Sequence, residues 1–158
     1  MKVTTALLWL CGFSMMATTS SPASNDTNDK APATTSIRVL IGDKPFTARL
    51  EDNATARAFA AMLPLTLRMR DLNDNEKVIE LSMNLPGEIS NPGTIREGDL
   101  MIWSSRSLVL FYKTFPTSYS YSPLGRIADT TGLAEAVGAG TVAVRFEKLQ
   151  DALPSNQF

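Results

Sequence analysis

Apolar and polar residues alternate along much of this chain, and at two places a helical spacing interrupts the alternation. Ile37, Val39 and Ile41 alternate with Arg38 and Leu40, and beyond Gly42, Asp43 and Lys44 the residues Phe46, Ala48 and Leu50 alternate with Thr47 and Arg49. A period of two places one set of side chains on one face. This segment therefore predicts a β-hairpin with a single core face. The period then changes: Ala56, Phe59, Ala60 and Leu63 follow the i, i+3, i+4, i+7 spacing of a helix with one buried stripe. Asp52 or Asn53 stands where a cap would accept bonds from the free backbone N–H groups at the helix start. Pro64 forces Leu63 out of helical geometry and ends the helix.

A strand follows at once, with Leu65, Leu67 and Met69 on one face and Thr66, Arg68 and Arg70 on the other. Residues 71–75 read as a polar turn and 77–81 as a further strand. Residues 83–98, with two prolines and three glycines, read as a long irregular loop. Residues 100–103 and 108–112 form a second hairpin around Ser104, Ser105 and Arg106. Residues 114–123, carrying Pro116, Pro123, Tyr119 and Tyr121, read as a loop, and 125–128 as a short strand. A second helix is predicted over 130–137, capped at Asp129 or Thr130, with Gly138 in the left-handed position after its end. Val142, Val144 and Phe146 mark a last strand. About eight short strands and two helices predict a mainly β fold: a closed or nearly closed barrel with two short helices capping its ends. Closure also removes exposed strand edges.

The N-terminus is patterned differently. Lys2 precedes an apolar run over residues 6–17, and small residues follow over 18–24. This is the three-part pattern of a secretory signal peptide. Small residues at Ser21 and Ala23 place cleavage after Ala23, with Ser20 as the alternative. The apolar run is shorter than the roughly 20 residues that span a bilayer. Cys11, the single cysteine, follows Leu10, where a lipoprotein signal would have a small residue, so lipidation is the minor alternative. The expected organisation is a signal peptide over 1–23, a flexible leader over 24–36, the barrel over 37–149 and a loose tail over 150–158. The mature chain, about 135 residues, is the size of one domain, exported to the periplasm or secreted. It would hold no cysteine, hence no disulfide, thiolate nucleophile or cysteine metal ligand. Cleavage removes one lysine and no acid, taking the formal charge from −1 to −2. That balance argues against nucleic acid or an anionic membrane as partner. No second apolar stretch offers stable membrane insertion.

Five stretches carry a resemblance to a known family: LEDNAT at 50–55, MLPLT at 62–66, EGD at 97–99, LFY at 110–112 and YSYSPLG at 119–125. In this order and spacing the chain, from about residue 37 to 146, resembles the bacterial cyclophilin-like barrel family. The resemblance implies the scaffold of the prolyl isomerases. Cyclophilins use an arginine on the strand after the first helix, within a pocket of phenylalanine, methionine, glutamine, tryptophan and histidine side chains. It eases the loss of amide resonance as the prolyl bond twists over a barrier of about 18–20 kcal/mol. The resemblance makes Arg68 and Arg70 the catalytic candidates. The chain departs from the isomerase pattern, because it has no histidine and lacks the cyclophilin strand motif of phenylalanine, histidine and arginine.

The missing histidine also removes the Ser-His-Asp triad and imidazole acid–base chemistry. Zinc or copper would have carboxylates alone as ligands. No phosphate-binding or dinucleotide glycine pattern occurs, so nothing in the sequence calls for a cofactor. Glu76, Glu80, Glu88, Glu97 and Asp99 read as solvated carboxylates on turns rather than as a glycosidase pair. The aromatic residues are more distinctive: Trp103, Phe111, Tyr112, Phe115, Tyr119 and Tyr121 fall within nineteen residues. Loops on a rigid barrel are where binding groups gather, and tyrosine offers an apolar face with a hydroxyl. Tyr112, Tyr119, Tyr121, Trp103 and Arg126 are thus the ligand-binding candidates. The alternatives are a tyrosine loop packed on the barrel end and a surface ion pair at Arg126. Two readings follow: a non-enzymatic module that binds a small molecule or peptide at the aromatic loop, and a divergent prolyl isomerase.

Overall fold

The computed structural model describes residues 35–149. The expected signal peptide, the leader up to residue 34 and the tail from residue 150 lie outside the described residues. β1 (Ser36–Ile41) and β2 (Lys44–Leu50) form the first hairpin, turning at Gly42 with φ 58°. Their inward residues Ile37, Val39, Ile41, Phe46, Ala48 and Leu50 are all buried. The helix α1 (Ala54–Ala61) is capped by Asn53, whose Oδ1 accepts from the Ala56 N–H at 2.8 Å. Its Phe59 lies edge-on to Phe146, with ring centroids 5.4 Å apart. β3 (Leu65–Leu72) leaves directly after Pro64 and turns into β4 (Glu76–Glu80).

The chain continues through β5 (Thr94–Ile95), β6 (Asp99–Trp103), β7 (Ser107–Phe111), β8 (Phe115–Pro116) and β9 (Ser122–Ile127). The helix α2 (Leu133–Val137) and β10 (Val142–Lys148) complete it. Eight strands close into an antiparallel barrel in the order β1-β10-β3-β4-β7-β6-β9-β2, with β2 returning to β1. Closure brings β9 hard against β2: a Cβ at Gly125 would collide with the Arg49 carbonyl oxygen, so glycine is required there.

Three expectations are corrected. The tracts 83–98 and 114–123 are not simply loops, since β5 pairs with β8 and Ser90 exchanges two 2.9 Å backbone bonds with Tyr121. Strands of two residues are too short to show a period. β9 begins at Ser122 rather than at residue 125. α2 begins at Leu133 rather than at 130, because Asp129 Oδ1 accepts the Thr131 N–H at 2.9 Å and holds a turn, with Gly132 at φ 74° opening the helix.

Apolar residues gather in two clusters. One fills the barrel interior. The other lies outside it, where Val78 of β4, Met101 of β6 and Val109 and Phe111 of β7 meet Ile95 and Tyr121 from the overlying segments. β4, β6 and β7 are thus covered on both faces along part of their length.

Candidate functional site

The outer cluster ends in an open groove of about 480 Å³ on the surface of β3, β4 and β7. The strand register explains its wall. Outward positions alternate along each strand, and Arg70 of β3 pairs with Val78, which pairs in turn with Val109. Leu72 pairs with Glu76 in the neighbouring row, and Glu80 pairs with Ser107, which pairs with Trp103. Val78 and Val109 form an apolar floor flanked by Arg70, Glu76 and Glu80. Tyr119 and Tyr121 border it from the segment before β9.

The aromatic side chains divide by role. Tyr121 is only 7 % exposed and sets its ring at 89° to Phe111, centroids 5.6 Å apart. It is anchored by the outer cluster, and burial pushes its phenol above the ordinary value. Trp103 and Tyr119 are 50 % and 65 % exposed and present ring surface to an incoming group. Glu76 is half-buried. Burial pushes its carboxyl above the ordinary glutamate range, while the Arg70 guanidinium pulls it down and the Asp71 carboxylate pushes it up. A guanidinium, two carboxylates and two exposed aromatic side chains therefore share one apolar-floored groove.

A sequence profile described as the cyclophilin-like family matches residues 39–147. The chain belongs to that family. No curated protein matches it in sequence. The solution structure of a hypothetical protein from Archaeoglobus fulgidus is similar to this cyclophilin-like chain, at 17% identity and a TM-score of 0.51. The match covers 73% of this chain and 95% of that one. At such identity the likeness is one of fold, and function must be argued from the site.

The cyclophilin-like barrel brings Arg70, Trp103, Tyr119 and Tyr121 together in the groove. Arg68 shares the outer face but does not line it. Tyr112 and Arg126 lie elsewhere. Tyr112 follows the outward Phe111, so alternation turns it into the barrel, where it is buried and donates its hydroxyl to Asp71 Oδ2 at 2.8 Å. Burial, aided by that bond and the Asp71 charge, keeps the Tyr112 phenol protonated. Arg126 is held by the buried Asp99 through Nε at 2.7 Å, the ion-pair alternative rather than a ring contact. Glu76, Val78, Ser107 and Val109 were missed as site residues. No sequence signal marks them, since β7 is apolar at nearly every position and β4 does not alternate cleanly; the pairing register places them on the face opposite Lys77 and Leu108. Among the described residues no three His, Cys, Asp or Glu side chains gather as a metal site.

Proposed function

We propose that this protein is an exported, non-enzymatic cyclophilin-like binding module that holds a peptide segment in the groove beside Arg70. The observation that carries this reading is the pair of half-exposed rings, Trp103 and Tyr119, standing at an apolar floor with a guanidinium and carboxylates around it. The rings supply flat apolar contact, and Arg70 supplies a forked donor for a main-chain carbonyl. Export, to the periplasm or the medium, is supported by Lys2, the apolar run over 6–17 and Ala23. Titration of the full chain with acetyl-Ala-Ala-Pro-Ala-amide tests the binding. Trp103→Ala and Tyr119→Ala are expected to weaken it by about tenfold each, the loss of one good aromatic contact, with little change in melting temperature. Unchanged affinity in both variants would contradict the reading.

Arg70 also supports a second reading. It stands on the strand after the first helix, faces an apolar groove and has aromatic neighbours, which is the placement a prolyl isomerase needs. NMR exchange on the same peptide distinguishes the two. Acceleration by the full chain that disappears in Arg70→Ala establishes isomerase activity. Binding without acceleration establishes the non-enzymatic module.

A further inference from the structure

Glu76 is the groove's unspent charge. The other carboxylate of the lining, Glu80, is engaged by Arg106. Among the described residues Glu76 makes no ion pair, and neither does Arg70. A half-buried carboxylate on an apolar floor has lost part of its hydration, and Arg70, the cation that acts on it, makes no direct ion pair with it. A cation entering the groove would restore that balance. It would also meet the exposed ring of Tyr119, which borders the groove beside Tyr121, and aromatic faces attract positive charge.

We propose that the groove selects peptide segments by a lysine or arginine side chain, whose cation is held by the Glu76 carboxylate and the ring of Tyr119 on the same side of the groove, while Trp103, in the row of Glu80 and Ser107, covers the neighbouring part of the segment. This rests on the peptide-binding reading above. A peptide suits the site better than a free small ammonium ion because the wall carries Arg70 as well. A lone ammonium leaves that guanidinium without an acceptor. A peptide brings carbonyl oxygens for Arg70 and a basic side chain for Glu76 in one molecule. The aliphatic stem of lysine or arginine also covers the Val78 and Val109 floor.

The test compares two peptides on the full chain by calorimetry: acetyl-Ala-Lys-Pro-Ala-amide, and its analogue with norleucine in place of lysine. Norleucine keeps the stem and removes the charge. The lysine peptide is expected to bind about tenfold tighter. In Glu76→Gln, which keeps the shape, that preference is expected to fall to about one while the norleucine peptide binds as before. Equal binding of both peptides to the wild-type chain overturns the selection by charge and leaves the peptide-binding reading standing. A preference that survives Glu76→Gln overturns the role of Glu76. Failure of both peptides to bind overturns both readings, and choline binding in their place marks a small-ammonium site instead.

Discussion

Lys77 enters the barrel from β4 and has no contact with solvent. An ammonium has three donors, and each meets an acceptor: Asp71 Oδ2 at 2.6 Å, Gly138 O at 2.7 Å and Gly140 O at 2.7 Å. Tyr112 donates to the same Asp71 oxygen. The network ties β3, β4 and the segment after β7 to the chain between α2 and β10, and so plugs one end of the barrel with satisfied polar groups rather than with a void. The Lys77 ammonium holds the Asp71 carboxyl below its ordinary value of 3.8, with the Tyr112 hydroxyl assisting and burial opposing. A carboxyl with a depressed folded value stabilises the fold above its unfolded value, and that contribution is lost as pH falls through the folded one. Asp71→Asn leaves Lys77 buried without its counter-charge and is expected to cost about 3 kcal/mol at neutral pH. The variant should also lose less melting temperature than the wild type between neutral pH and strongly acid pH. An equal loss in both proteins would remove Asp71 from the acid response. Sequence alone showed the inward alternation of Leu65, Leu67 and Met69, but read Asp71 as the start of a polar turn, whereas β3 runs on to Leu72. It did not show which partner Asp71 meets, so Lys77 read as a strand start and Tyr112 as a binding group.

Elements with one buried face were the legible ones. β1, β2, β3 and β10 alternate cleanly, and α1 was recognised from its stripe, its cap and Pro64. β6 and β7 read Asp-Leu-Met-Ile-Trp and Ser-Leu-Val-Leu-Phe and are buried on nearly every residue. A strand covered on both faces has no alternation to reveal which residues point out. That is why the outer cluster, and with it most of the groove floor, was hidden in the sequence. The aromatic borders Trp103, Tyr119 and Tyr121 were found because residue type alone marked them. α1 carries a test at this scale. Asn53 caps the helix and also donates from Nδ2 to the Pro123 carbonyl at 2.8 Å, which fixes α1 to β9. Asn53→Ala is expected to cost about 2 kcal/mol, the cap plus one further bond. Asn53→Ser keeps a capping oxygen and should fall about midway by denaturant unfolding. Equal stability of all three proteins would leave the cap without energetic weight.

At the scale of the molecule, the barrel carries apolar packing on both sides of β4, β6 and β7. Its closed interior is filled by buried apolar side chains and by the Lys77 network. The outer cluster is different, because its cover ends at Tyr121 and the groove opens beyond. A rigid sheet beneath, fixed on both faces, gives the side chains of the groove a firm base. The central claim is that this outer groove, beside Arg70 and Glu76, is where the protein engages its partner. The most direct measurement is amide shift mapping of the full chain, labelled with nitrogen-15, during titration with acetyl-Ala-Lys-Pro-Ala-amide. The account predicts that the shifted amides cluster at Arg70, Glu76, Val78, Val109, Tyr119 and Tyr121. Shifts gathered instead at the cleft bordered by Phe46, Thr47 and Ala128, or no shifts at all, would contradict it.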